Sequence, residues 1–260
     1  RFSNARESPH DFFYAHPDVI ATDCATTAVY AGVMNPYNVR EALYWQSSEC
    51  SAFNPIIMLY FIHKFAARSV LDPCAGWGDR LIAAMAAGIR YVGVDPNEEL
   101  FSGYQNIHDF FASAADNPRI TLICSTIQEA DLPTQFDKPE MFDMVFTSPP
   151  YWNLEEYSGA GRVKETSESA WLWNFLWPML DICTRRINPG GHLILNLNQR
   201  PRQTYIKKML DYMSIKRDMK YLGVISYTDT RIENPQPVWI WRKRRPTAEP
   251  GHSANSEPAT

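Results

Sequence analysis

The sequence predicts an α/β protein whose mostly parallel sheet carries helices on both faces, and three observations predict it. Short apolar runs alternate with longer amphipathic ones; two of those runs end in Asp-Pro, at Asp72 and Asp95; and a turn bearing Gly76 and Gly78 follows the first. Strands alternating with helices pair in parallel, because each crossover helix returns the chain to the same end of the sheet. In such sheets ligands lie beyond the carboxyl ends of the strands, where the strand order reverses.

Taken in order, residues 1–52 mix polar, aromatic and turn-forming residues with no sustained period and read as an irregular N-terminal arm. Asn54-Pro55 opens a helix over 56–65, Asn serving as cap and Pro filling the first turn. A strand at 69–71, a helix at 80–87, a strand at 91–94 and a helix at 98–112 follow, then strands at 120–124 and 144–146. The last of these runs straight into Thr147-Ser148-Pro149-Pro150-Tyr151. A helix over 170–187, with Trp171, Trp173 and Trp177 as core residues, is stopped by Asn188-Pro189-Gly190-Gly191. A fifth strand at 192–197, a helix at 204–215 and two late strands near 221–225 and 238–241 complete a domain over 53–245. Residues 246–260 are Pro, Ser, Ala, Glu and Gly in the main, a composition that cannot build a core, and read as a disordered tail.

Composition narrows the class. A chain of 260 residues, 45% hydrophobic and 21% charged, suits one sizeable domain with appendages. The net charge of -4 gives no overall basic field, so any phosphate contact must come from a local patch. Cys24, Cys50, Cys74, Cys124 and Cys183 are scattered with no C-x-x-C pair, which argues against zinc and disulfides and for a reducing intracellular compartment, cytoplasmic or nuclear. No histidine falls in a metal-ligand spacing, and no apolar run approaches the roughly 20 residues of a membrane span, so neither a metal nor a membrane is expected. The chain opens at Arg1 with no signal-peptide pattern, as an excised domain would.

Two constellations carry the chemistry. In Asp72-Pro73-Cys74-Ala75-Gly76-Trp77-Gly78 the glycines let the backbone turn sharply and let a ligand approach it. Glycines serve ordinary turns as well, but Asp95 closes the next strand roughly 20 residues on, the spacing at which a carboxylate accepts ribose hydroxyls in nucleotide folds. No Gly-Lys-Ser/Thr follows, so a phosphate cradle is disfavoured, and Asp72 suits a zwitterionic ligand with an ammonium group. In Ser148-Pro149-Pro150-Tyr151-Trp152 the prolines remove amide donors and leave carbonyl acceptors beside a hydroxyl and two aromatic faces. Such a cleft accepts hydrogen bonds from an amino group while stacking a flat ring.

Together these two motifs resemble the amino-group DNA methyltransferases, which make N4-methylcytosine or N6-methyladenine, over about residues 54–243. Phe53-Asn54-Pro55 is similar to that family's segment beside the cofactor methionine, Leu71 to Gly78 to its cofactor loop, Asp95 to its ribose acid, and 188–195 to its approach to the fifth strand. The resemblance implies a Rossmann-like class I methyltransferase fold with a seven-stranded sheet and S-adenosyl-L-methionine as cofactor. It implies cofactor contacts at Asn54, Pro55, Asp72, Pro73, Cys74, Ala75, Gly76, Gly78 and Asp95, with Thr126 and Gln128 as candidates for its adenine. Ser at the first catalytic position is commoner among the cytosine-N4 enzymes, which favours cytosine.

The mechanism so implied is one of positioning. Ser148 and the Pro149 carbonyl accept the two amine hydrogens and favour a pyramidal nitrogen, Pro150 fixes the turn, and Tyr151 stacks on the base with Trp152 lining the pocket. Ser148 is no strong base at neutral pH, and the proton leaves to water. Arg200, Arg202 and Arg162, the last on a lid-like loop over 155–168, are the candidate nucleic-acid contacts, and Arg242-Lys243-Arg244-Arg245 is the densest basic run. The family's DNA enzymes usually carry a separate target-recognition region, and no stretch of that size is spare here. That departure favours a single-stranded or RNA substrate, or a partner subunit. An RNA base methyltransferase and a catalytically silent scaffold subunit are the rival readings.

Overall fold

The computed structural model describes residues 9–26, 32–46, 53–111, 119–152, 165, 167–199, 203–228 and 235–246. Helices α1 (Pro9–Ala15), α2 (Pro17–Thr26) and α3 (Pro36–Gln46) come first, each with proline at its first position. The expectation of an irregular arm is therefore corrected. The three short helices close a small apolar cluster of Ile20, Cys24 and Ala42, flanked by Phe12, Val39 and Leu43. Apolar and polar residues in α2 and α3 are only weakly segregated to opposite faces, which leaves no readable period.

Helix α4 (Pro55–Phe65) starts where its cap predicts: Asn54 Oδ1 accepts the Ile56 amide at 3.0 Å, with Pro55 at N1. Then come β1 (Ser69–Asp72), α5 (Asp79–Ala86), β2 (Arg90–Asp95), a 3-10 turn (Glu98–Leu100), α6 (Phe101–Phe111) and β3 (Ile120–Cys124). A two-stranded hairpin, β4 (Thr134–Gln135) and β5 (Lys138–Pro139), turns through Phe136 and Asp137 at φ 53° and 59°. A tight hairpin needs left-handed residues there, and without Asn-Gly it carried no sequence signal.

Strand β6 (Phe142–Thr147) leads to α7 (Glu168–Trp171), a π turn (Leu172–Leu176) and α8 (Trp177–Arg185). The predicted single helix is thus interrupted, and Pro178 explains why: it has no N–H for the Asn174 carbonyl, and Gln128 Nε2 donates to that carbonyl instead, at 3.4 Å. Trp171 is buried, but Trp173 is 67% exposed, which corrects its expected core role. Strand β7 (Ile187–Asn196), helix α9 (Tyr205–Ser214), β8 (Met219–Tyr227) and β9 (Gln236–Lys243) complete the chain. β7 begins earlier than predicted. Ile187 pairs with Phe142 and His192 with Met144, so 188–191 bulge out of a continuous strand rather than preceding it.

The described strands form one sheet in the order β3-β2-β1-β6-β7-β9-β8. β1, β2, β3, β6 and β7 are parallel, and β9 runs antiparallel between β7 and β8. Alternation along the strands sends Leu71, Val145 and Leu195 to one face, under the π turn, α8 and α9, and Val70, Met144, Phe146 and Ile194 to the other, under α4 and α5. The order reverses between β1 and β6, which therefore frame the crevice that binds ligands in open α/β sheets. The four described cysteines are free thiols, and no described helix is long and apolar enough to cross a membrane.

Candidate active site

At the tip of β1 the Asp72 side chain is fully buried, and a bare carboxylate there is costly unless paired. Arg80, from the first turn of α5, meets it with Nε at 2.7 Å from Oδ2, and the Tyr91 hydroxyl on β2 donates to the same oxygen at 2.9 Å. The Cys74 amide donates to Oδ1 at 3.3 Å, and Arg80 Nη2 reaches on to the Cys74 carbonyl. Asp72 is thus neutralised from within the protein. The expectation that it faces a ligand ammonium is corrected: its charge serves to hold the glycine turn. Burial alone would weaken the Arg80 proton, but Asp72 and Tyr91 outweigh it and hold the guanidinium charged.

The turn itself is fixed from three sides. The Gly76 amide donates to Asp95 Oδ2 at 2.9 Å, the Tyr104 hydroxyl of α6 donates to the Gly76 carbonyl, and the Ala75 amide donates to the Val94 carbonyl at 2.9 Å. Gly78 sits at φ 89°, where a side chain is strained, and a Cβ there would lie 2.7 Å from Ile107 Cδ1, which would have to shift. Gly93 makes room within β2 for the Tyr91 ring, 2.7 Å from where its Cβ would lie.

Asp95 crowns β2, 9% exposed, with one backbone donor on each oxygen: Gly76 on Oδ2 and Asn97, at 3.0 Å, on Oδ1. Each oxygen keeps a free lone pair, which is what a pair of ribose hydroxyls requires. Desolvation raises its pKa, and the two backbone donors partly offset that rise. Phe53, ahead of the Asn54 cap, lies 5.3 Å from the Arg80 guanidinium and 5.7 Å from the Phe146 ring, and so ties the start of α4 to both β6 and the turn. Cys74 is pushed well up by burial, with Asp72 and Asp95 adding to it, and packs as an inert thiol against Met179.

Ser148 leaves the tip of β6, one strand from Asp72: Leu71 pairs with Val145, and Asp72 with Gly93 on the other side. The Asn196 amide on β7 lies 3.5 Å from Ser148 Oγ, at the limit of hydrogen bonding. Asn196 Oδ1 and Thr147 Oγ1 are buried here without a partner, polar atoms of the kind that mark a site rather than a plain core. The Tyr151 hydroxyl donates to the Asn196 carbonyl at 3.3 Å, and its ring packs against the core together with Trp152, whose carbonyl accepts from Gln203 at 3.3 Å. Both aromatics are half-buried and anchored.

The structure therefore brings Asn54, Pro55, the 72–78 turn, Asp95 and the Ser148–Tyr151 segment to neighbouring strand tips and helix starts. Thr126 and Gln128 lie in the turn after β3 with local contacts, Thr126 to Glu129 at 3.1 Å and Gln128 to Asn174. Arg162, Arg200 and Arg202, and all but Glu165, Ser167 and Glu168 of the expected lid, lie outside the described residues, as do 247–260 of the expected tail. Arg80, Tyr91, Tyr104 and Asn196 were not singled out from sequence. A polar residue flanked by apolar ones in a buried strand, as in Leu195-Asn196-Leu197, was the available signal for the last.

A seven-stranded sheet with this order and one reversed strand, glycine turn after β1 and acid after β2, is the class I methyltransferase fold. Three of the solved structures that share it illustrate the likeness. A candidate class I S-adenosylmethionine-dependent methyltransferase of Listeria monocytogenes is 17% identical, with TM-score 0.54, over 95% of this chain and 84% of that one. A methyltransferase of Pyrococcus furiosus is 15% identical, with TM-score 0.50, over 90% and 100%. TrmN of Thermus thermophilus is 15% identical, with TM-score 0.50, over 73% of this chain, which spans only 48% of the Thermus protein. No family model and no curated protein matches the chain.

Proposed function

We propose that the protein transfers a methyl group from S-adenosyl-L-methionine to an exocyclic amino group of a nucleobase in nucleic acid, with cytosine N4 favoured over adenine N6. The observation that carries this reading is the run of three neighbouring strand tips: Asp95 on β2, the braced glycine turn after β1, and Ser148-Pro149-Pro150-Tyr151 after β6. The methyltransferase fold supports the cofactor, and the chemistry of the donor set fits it. Asp95 keeps acceptor capacity for ribose hydroxyls, and the open backbone at Gly76 admits a ligand. When bound, the cofactor supplies an electrophilic methyl group on a sulfonium.

The remaining work belongs to the chain. An aromatic amine is a weak nucleophile because its lone pair is delocalised into the ring. Ser148 Oγ and the Pro149 carbonyl accept its two hydrogens and so favour the pyramidal nitrogen, and the prolines, lacking N–H groups, place no competing donor there. Asn196 steadies Ser148, and the Tyr151 ring, anchored through its hydroxyl, offers a fixed face for the base. A base within a duplex must leave its stack to reach them, at about a few kcal/mol, which a single-stranded target avoids. Ser148 is no strong base at neutral pH, so the proton departs to solvent after transfer.

Mass spectrometry of nucleosides digested from DNA and RNA after incubation with protein and cofactor tests the reading. N4-methylcytosine or N6-methyladenine is the expected product. Methylation confined to ring carbons, ribose or protein would defeat it, and the polymer that carries the product identifies the substrate as DNA or RNA.

A further inference from the structure

The opposite edge of the sheet carries a second feature that methyl transfer does not use. Here the five parallel strands begin and the antiparallel β9 ends, so the fold gathers residues distant in sequence. Arg68, Arg90 and Arg119 precede or open β1, β2 and β3, and with Ser69, Asp143 and Asn188 they line a cleft of about 420 Å³. Asn188 bonds Asp143 at 3.1 Å, and two residues further on Gly190 lies against Arg242 and Arg245: the Arg242 Nε donates to the Gly190 carbonyl at 3.2 Å, and Arg245 Nε lies 3.1 Å from the Gly190 Cβ position. The cleft and the basic run at the end of β9 are therefore continuous.

Charge along this edge is not balanced. Glu140 is taken up by Arg90, at 3.1 and 3.0 Å, and Asp143 accepts the Arg68 amide at 2.9 Å besides Asn188. Arg68, Arg119, Arg242 and Arg245 are exposed and have no carboxylate within ion-pairing distance among the described residues. Four unpaired guanidinium groups held along one edge repel one another, in a chain whose net charge is -4. From β3 to β9 the edge covers five strand spacings, roughly 24 Å at about 4.8 Å each. A duplex strand presents about seven phosphates over that length.

We infer that this edge is an accessory binding strip for the phosphodiester backbone of a long nucleic-acid strand. It rests on the nucleic-acid reading of the active site. The six residues of β6 put roughly 20 Å between strip and Ser148, so a substrate of about three nucleotides at the active site falls short of it and a long one reaches it. Spread guanidinium groups suit a run of phosphates rather than one compact anion.

Fluorescence anisotropy tests this, with labelled strands of about three and about 30 nucleotides titrated across salt concentrations, against wild type and R68Q/R119Q/R242Q/R245Q. The long strand should bind the variant at least tenfold more weakly, and the slope of log affinity against log salt should flatten by about three, at about 0.7 per lost phosphate contact. The short strand should change less than about twofold, because it does not reach the strip. R68Q/R245Q, whose guanidinium groups make no described hydrogen bond, should give about half the slope change without disturbing the fold, and Lys at all four positions should restore it. An unchanged slope in variants that melt like wild type overturns the inference, as does tighter binding to anionic phospholipid vesicles than to the long strand. Salt-dependent binding through the strip with no methylated amino base would sink the proposed activity instead and leave the strip standing.

Discussion

Asp95 and Ser148 stand two strands apart at the same end of the sheet, and their roles separate in kinetics. Asp95→Ala removes the proposed acceptor of two ribose hydroxyls, so cofactor affinity by calorimetry should fall about 10- to 100-fold, from hydrogen bonds to a charged group worth about 1.5–3 kcal/mol. Ser148→Ala should leave that affinity within about twofold and lower the turnover of labelled methyl about 10- to 100-fold. Equal loss of cofactor binding in both variants would contradict the assignment. Asp95 also sets a pH dependence with two opposite signs. Its pKa is raised by burial, so the folded state holds the proton more tightly than the unfolded one, and the ionised carboxylate costs stability above the raised value. That cost is relieved as pH falls through the window between the raised value and 3.8, the ordinary one. Cofactor affinity, which needs the ionised form, should fall over the same window. Calorimetry and thermal melts in a common buffer series check both, and affinity flat with pH would rule Asp95 out as the acceptor.

Among elements, the brace joining β1, α5 and β2 decides whether the glycine turn exists before any ligand arrives. Asp72 and Arg80 are both essentially buried, so removing one partner strands the other's charge. Arg80→Met should cost about 3–5 kcal/mol in urea unfolding. Tyr91→Phe removes one hydrogen bond to the same carboxylate and should cost about 1–3 kcal/mol. If Arg80→Met proved neutral, Asp72 would have another partner and the brace would be misassigned. The motif was legible as a turn from its glycines, but the brace was not: Arg80 and Tyr91 lie 8 and 19 residues from Asp72, and only the βαβ crossover brings them to it. The bulge at 188–191 has the same origin. Asn-Pro-Gly-Gly reads as a helix stop, yet Ile187 finds a partner in Phe142, and sheet pairing outweighs the local turn preference.

For the molecule as a whole, three apolar clusters have very different depth. Two bury the faces of the sheet, while among the described residues α1–α3 share only Ile20, Cys24 and Ala42 as fully buried apolar residues. Local stability follows buried contact, so amide hydrogen exchange should be fast across residues 9–46 and slowest in β1, β6 and β7. Protection of 9–46 equal to that of β6 would show that these helices fold as one unit with the sheet.

The sequence by itself determined the strand–helix alternation, the Asn54 cap, the glycine turn, Asp95 at a strand end and Ser-Pro-Pro-Tyr after another, because capping, turn geometry and period are local and each is written in a few adjacent residues. Tertiary structure alone decided that Asp72 is neutralised by Arg80 and Tyr91, that Asn196 meets Ser148, and that arginines from four strand ends share one edge. Those facts depend on strand order, and burial and strand order are properties of the assembled sheet that no short window of residues contains.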